Sequence, residues 1–279
     1  MIVPEAALVV GNKRIAPNCY VLTVKAPVLA EKAEPGQFVQ LRFADREDPF
    51  LPRPFSFLDI QKNKVQILYQ SVGKATHLMS ELREGDSVSL LGPFGTGWPK
   101  PSEFKHKTVL LVGGGVGIPP VYHFAVDAKR RNARFADHAA VFLGGRTKQF
   151  LHSKKEFKTA GFKVYCATDD GSFGHHGTVV ERLEDYLYDA ADKGVSPEQF
   201  TILACGPTPM LAAAAQLAFK YDIECLVSME EHMPCGFGAC QGCAVQLHDA
   251  QFENGRRFGL CCSEGPVFRA SSIVWEALP

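Results

Sequence analysis

The chain has 279 residues, of which 46% are hydrophobic and 22% charged, and its thirty basic side chains are balanced by thirty acidic ones. That is room for two ordinary domains and a small extra segment, with no charge excess to draw it to nucleic acid or an anionic membrane. No apolar run approaches the ~20 residues needed to span a bilayer, and the opening MIVPEAALVV lacks the basic start and cleavage site of an export signal.

Residues 1–100 read as an antiparallel β-barrel with one short helix. The runs CYVLTVKAP, GQFVQLRF, PFSFLDI, KVQILYQSV and DSVSLLGPFG alternate or are β-branched, and Pro and Gly punctuate them. Short strands at such intervals suggest a closed barrel rather than a parallel sheet. Two stretches in this half carry chemistry. In Arg53-Pro54-Phe55-Ser56 an arginine fork suits a pyrophosphate, an aromatic ring can stack on a flavin, and a hydroxyl can meet a ring nitrogen. The same four residues also fit a surface arginine beside a core phenylalanine. In the second stretch, Tyr69, Gln70, Gly73, Ala75 and Thr76 lead into HLMSELREGD, a helix that Thr76 caps and Gly85 ends. A glycine loop delivering a helix N-terminus is an anion site, because its N–H groups have no partner within the helix. A helix plugging the barrel is the other reading.

From residue 101 to 225 the period changes. HKTVLLVGGGVGIPPVYHFAVDAKRR is a buried strand, a glycine turn and a helix beginning near Pro119-Pro120. Gly113, Gly114, Gly115 and Gly117 let the backbone approach a diphosphate, and the helix is expected to present its N-terminus there. Strands AAVFLGG (139–145), FKVYCAT (162–168) and FTILACG (200–206) alternate with helical stretches, which argues for an open parallel sheet. Ligands of such sheets sit at the carboxyl ends of the strands, so the turn at Cys205-Gly206-Pro207 should line the same crevice as the glycine turn. Arg146 and the Asp169–Gly174 loop stand at two further strand ends.

The last segment, 226–279, contains MEEHMPCGFGACQGC. Cys235, Cys240 and Cys243 stand at C-x4-C-x2-C, and Cys261 and Cys262 follow. Four thiolates at one point can hold a [2Fe–2S] cluster, and this is the plant-ferredoxin spacing. Gly236, Gly238 and Gly242 let the backbone curl round an inorganic core. A structural zinc site needs two C-x2-4-C knuckles, and only Cys240 and Cys243 form one. Spacing alone leaves the fourth ligand open between Cys261 and Cys262. With no export signal, the nine cysteines read as reduced thiols in a cytoplasmic protein.

Arg53, Phe55 and Ser56, followed by Gly73, Ala75 and Thr76, resemble the flavin-binding half of the ferredoxin–NADP reductase family, where R-x-[YF]-S and a glycine-rich helix start hold the flavin and its diphosphate. The turn Cys205-Gly206-Pro207-Thr208-Pro209-Met210 is similar to that family's C-G-P-x-x-M, which lies against the nicotinamide. The order flavin barrel, nucleotide sheet, iron–sulfur segment resembles the electron-transfer subunits of NAD-dependent dihydroorotate dehydrogenase. Their S-x-E-x-x-M-x-C-G-x-G-x-C-x-x-C and acidic-Gly-Pro-Val-Phe stretches both stand here. The resemblance selects Cys262 as fourth ligand and implies FAD, a [2Fe–2S] cluster and diffusible NAD(H).

It further implies an FMN-containing catalytic partner in a heterotetramer of two of each subunit, serving pyrimidine biosynthesis. No residue set here looks like a pyrimidine site, so no catalytic residue for the carbon substrate is expected in this chain. A flavin joins the two kinds of electron carrier because nicotinamides exchange electron pairs as hydride, whereas a [2Fe–2S] centre takes them singly. The alternative is an NAD(P)H-dependent ferredoxin or sulfur reductase subunit with a different partner. Met233, Phe237 and Phe252 are candidates for an exposed apolar patch round the cluster.

Overall fold

The computed structural model describes residues 2–43, 46–252 and 254–278. Its first part is a seven-stranded antiparallel sheet built from β1 (Val3–Ala16), β2 (Cys19–Lys25), β3 (Phe38–Phe43), β4 (Arg53–Ser56), β5 (Asp59–Gln61), β6 (Lys64–Gln70) and β7 (Ser87–Phe94), in the order β4-β3-β7-β1-β2-β6-β5. A short helix, α1 (Pro27–Lys32), follows β2. In β7 alternate residues point inward, so Val88 and Leu90 join Val9, Leu22, Val24 and Ile67 in one core. The expected closed barrel is only partly closed, since no ladder joins β4 to β5 among the described residues. The longest strand, β1, has no counterpart among the strands expected from the sequence. It pairs with both β2 and β7, and a register shift between Val9 and Gly11 interrupts its ladder with β2.

Helix α2 (Lys74–Glu81) plugs this half-barrel, with Met79 fully buried. Asn12 on β1 donates from Nδ2 to the carbonyls of Met79 (2.7 Å) and Leu82 (3.2 Å), satisfying groups that a helix end leaves without partners. Thr76 is not the cap expected. Gly73 occupies that position, and Thr76, inside the first turn, accepts the Gly73 N–H on its hydroxyl at 3.0 Å.

The second part is a sheet of parallel strands β8 (Thr108–Gly114), β9 (Ala139–Gly145), β10 (Lys163–Thr168), β11 (His175–His176), β12 (Phe200–Cys205) and β13 (Glu224–Ser228). All six residues of β12 are buried, as expected of a strand covered on both faces. Helices α3 (Ile118–Arg131) and α4 (Lys154–Thr159) cover one face, and α5 (Val179–Asp192) and α6 (Thr208–Tyr221) the other. The order β11-β10-β9-β8-β12-β13 reverses direction beside β8, which places the crevice between the ends of β8 and β12.

The third part holds a hairpin, β14 (Ala244–His248) with β15 (Arg256–Leu260), and β16 (Val267–Arg269). β16 joins the parallel sheet antiparallel to β13. Just before it, Gly265 accepts the Thr96 N–H at 2.6 Å and Pro266 accepts the Met229 N–H at 2.8 Å. One apolar cluster therefore runs from Phe38 and Phe94 of the half-barrel, through the sheet, to Met233, Cys243 and Cys261. No helix among the described residues is long and apolar enough to cross a membrane.

Candidate functional site

Strand β4 pairs with β3 so that Arg53, Pro54, Phe55 and Ser56 face Leu41, Gln40, Val39 and Phe38 in turn. Alternation turns Pro54 and Ser56 to the outer face and leaves the Phe55 ring against the barrel core, edge-on to Tyr69 at 6.2 Å. Arg53 is held at the strand start by donation from Nη1 to the carbonyls of Leu51 (2.8 Å) and Pro52 (3.2 Å). Tyr69 turns its side chain into the barrel. Its ring is buried on Tyr20, its hydroxyl donates to Asn12 at 3.1 Å, and burial pushes the phenol up to about 12. Only its main chain can meet a ligand. Gln70 ends β6 half-buried, opposite Cys19.

The start of α2 suits an anion. A Cβ at Gly73 would meet nothing within 4 Å, and the first-turn N–H groups of Lys74, Ala75 and Thr76 have no intrahelical acceptor. An exposed Lys74–Asp48 ion pair ties this turn to the loop before β4. Three exposed apolar side chains stand in these two loops, Phe50, Leu51 and Val72, and the sequence reading missed them. The arginine, the open helix start and the outward hydroxyl together fit a flavin carrying a diphosphate.

At the second crevice, glycine packs on glycine. A Cβ on Gly117 would lie 2.5 Å from both Cα and N of Gly206, and one on Gly114 would lie 2.6 Å from Met210 Sδ. The two turns thus touch through their backbones, and only residues without side chains allow it. A Cβ at Gly113 would lie 3.1 Å from Ile118 Cγ1. Gly115 differs: its φ is +55° and a Cβ there would meet nothing within 4 Å, so it faces open space. The expectation that α3 offers its N-terminus needs correcting. Pro119 and Pro120 have no N–H, and the Ile118 N–H is bonded to Gly115 O, so donors for a nucleotide must come from the turn itself.

Cys205 is a buried neutral thiol, pushed up to about 12 by burial and then by the nearby Glu230 carboxylate. Glu230 keeps contact with solvent, yet crowding by protein atoms raises its carboxyl. The sequence reading met it only as the glutamate of the S-x-E-x-x-M run, and it stands two residues after β13, whose end lies beside that of β12. On the far side, Asp169 and Asp170 donate their N–H groups to the carbonyls of Gly145 (3.2 Å) and Arg146 (3.2 Å), so those loops form one edge.

The cysteines meet in two pairs. Cys235 contacts Cys240, and Cys262 contacts Cys243. Main-chain donors are turned inward: Gly238 N–H to Cys262 Sγ (3.1 Å), Cys240 N–H to Cys235 Sγ (3.5 Å) and Cys262 N–H to Cys243 Sγ (3.4 Å). Gly236 and Gly238 reach this curl with φ of +82° and +88°. Burial works to raise the Cys235 thiol, but the N–H groups of Cys240, Phe237 and Ala239 outweigh it and hold it down to about 6. Burial and the neighbouring Cys243 thiol push Cys262 up to about 12. Cys261 turns away, fully buried, its thiol directed to Met229 O at 3.8 Å.

Among the described residues no three His, Cys, Asp or Glu side chains converge on a point suited to a single metal ion. Two thiol pairs with inward N–H groups fit a two-iron cluster, whose sulfurs need such donors. Phe237 (55% exposed), between Cys235 and Cys240, and Phe252 (51%), in the turn at the far end of the β14–β15 hairpin, are both open as expected. Met233 is not, being 6% exposed, because it packs into the shared core. Phe258 on β15 is 68% exposed, and its place in the R-R-F-G-L run of an edge hairpin was the missed signal.

A family model for the iron–sulfur cluster binding domain of dihydroorotate dehydrogenase B matches residues 230–274, and one for an oxidoreductase NAD-binding domain matches 111–216. The chain is 37% identical to a dihydroorotate dehydrogenase B (NAD(+)) electron transfer subunit of Geobacillus thermodenitrificans, across 98% of this chain and all of that one. It is 34% identical to the corresponding subunit of Desulforamulus reducens, across 97% and 98% of the two. Among solved structures it resembles an NADH-dependent reduced ferredoxin–NADP oxidoreductase (TM-score 0.78, 27% identity, 98% of this chain and 91% of that one). It shares the fold of a Neisseria gonorrhoeae ferredoxin–NADP+ reductase bound to FAD and NADP (TM-score 0.67, 17% identity, 83% and 95%).

Proposed function

The chain belongs to the family of dihydroorotate dehydrogenase B electron transfer subunits, and from that premise we propose how its residues divide the work of passing electrons to NAD+. Arg53 and the first turn of α2 hold the diphosphate of FAD, and Pro54 and Ser56 bed the flavin ring. Gly115 and the turns at Gly117 and Gly206 receive NAD(H), with Cys205 as a small apolar wall. Cys235, Cys240, Cys243 and Cys262 hold a [2Fe–2S] cluster. When bound, the FAD would exchange hydride with the nicotinamide and single electrons with the cluster.

The observation that carries this reading is the single core joining Phe38, Phe94, the nucleotide sheet and Cys243 and Cys262. It fixes three cofactor beds against one another, as an electron path requires. The inward-turned N–H groups support Cys262 over Cys261 as the fourth ligand. The partner is an FMN-containing dihydroorotate dehydrogenase catalytic subunit, in a heterotetramer of two of each. All nine cysteines are free of disulfides, which supports a reducing, cytoplasmic setting. The likeness to the NADH-dependent ferredoxin–NADP oxidoreductase favours a second reading, in which a different partner feeds the same wire.

Co-purification separates the two. A bound FMN protein that yields orotate and NADH from dihydroorotate and NAD+ only with this chain present is the expected result. Orotate formed by this chain alone would refute the division of labour.

A further inference from the structure

Strand β3 carries one buried polar side chain to which no role has yet been given. Gln40 is 1% exposed. Alternation sends Val39 and Leu41 into the barrel core and leaves Phe38 and Gln40 on the opposite face. Across the ladder Gln40 faces Pro54 and Phe38 faces Ser56. Directly opposed residues have Cβ atoms about 5 Å apart, so Gln40 borders the outer face of the R-P-F-S strand.

From the other side the loop of the first cluster cysteine comes down on the same amide. Gln40 donates from Nε2 to the carbonyl of Met233, just ahead of Cys235. Gly236, which follows that cysteine, lies so close that a Cβ there would be 3.0 Å from Gln40 Cγ and 3.1 Å from Nε2. The remaining polar atom, Oε1, is buried with no hydrogen-bond partner. A half-satisfied buried amide costs stability, and such groups are kept in few places. An apolar side chain of equal length would fill the space but leave the Met233 carbonyl unpaired.

We propose that Gln40 is a positioning residue that couples the two cofactor beds, registering the Cys235 loop against the strand that carries Pro54 and Ser56. The inference rests on reading β4 as the flavin strand and the four cysteines as cluster ligands. FAD bound on β4 steadies β3, β3 holds Gln40, and Gln40 holds the loop, so occupancy of one site tightens the other. Outer-shell partners of this kind shift metal retention by about ten- to a hundredfold.

The test compares the full chain, loaded with FAD and cluster, with Gln40→Met, which keeps the length but not the donor. Iron release to a chelator is timed with FAD bound and after FAD is stripped, and the EPR spectrum of the reduced cluster is recorded. In the unaltered protein FAD should slow iron release. In Q40M release should be about tenfold faster, indifferent to FAD, with shifted EPR g-values. FAD-dependent protection that persists in Q40M, with an unchanged spectrum, overturns the proposal. Gln40→Asn keeps an amide but is one methylene too short to reach the Met233 carbonyl, and if Q40M does not fold, persistence of FAD protection in Q40N overturns it equally. Failure of the unaltered chain to bind FAD or iron would instead strike at the cofactor assignment beneath it.

Discussion

Replacing Gly117 by alanine should damage nicotinamide use without touching the flavin or the cluster. The new Cβ would stand 2.5 Å from Gly206 Cα and N and 2.6 Å from the carbonyl carbon of Cys205, whereas ordinary contact begins near 3.4 Å. All three atoms are main chain, so no rotamer change relieves the clash. The glycine turn and the Cys205 turn must part by about 1 Å, and overpacking of this kind costs about 1–3 kcal/mol. A displacement of that size at a positioned substrate can lower turnover about a hundredfold. The assay is NADH-dependent dye reduction by the purified chain, with FAD and iron content measured on the same sample. Gly115→Val is the companion variant. It meets open space in the protein but stands where the nucleotide would lie, at a φ of +55° that disfavours valine. It should raise the KM for NADH. If G117A retained the kcat/KM of the parent, the close approach of the two turns would have no part in binding the nicotinamide. Parallel loss of FAD from either variant would mean that the flavin and nicotinamide beds had been exchanged.

Cys262→Ser should bleach the visible spectrum, whereas Cys261→Ser should keep it, since a serine hydroxyl can still donate to Met229 O; the reverse result sinks the ligand assignment. Arg53→Ala removes a charge-assisted contact worth about 2 kcal/mol, so the Kd for FAD should rise roughly thirtyfold by fluorescence titration. Phe252→Asp combined with Phe258→Asp should prevent assembly with the catalytic subunit on size exclusion, since buried aromatic anchors are worth about 2 kcal/mol or more each. Dye reduction should continue in that variant, and intact assembly would move the docking face elsewhere.

The sequence by itself determined what depends on neighbours along the chain. The C-x4-C-x2-C run, the four glycines after an apolar strand, and R-P-F-S each work through spacing of a few residues, so the cofactors were legible without coordinates. The parallel sheet was legible for a similar reason, because strands such as FTILAC are apolar throughout and can only be buried on both faces. What the tertiary structure decided is which way a side chain faces when its neighbours lie far off in sequence. Alternation announces two faces of a strand but not what covers each. Tyr69 turned inward because Asn12, on a strand the sequence did not reveal, met its hydroxyl.

Met233 went into the core because Phe38, Phe94 and β16 closed over that region, whereas Phe258 was left bare on a hairpin face that no described residue covers. Cys261 and Cys262 are adjacent, and spacing could not separate them. The chain after β15 rotates one thiol toward Gly238 and the other toward Met229. Gln40, a lone glutamine in an apolar strand, carried no signal at all. Its place depends on a carbonyl 193 residues further along the chain, and contacts of that span come into being only when the whole chain has folded.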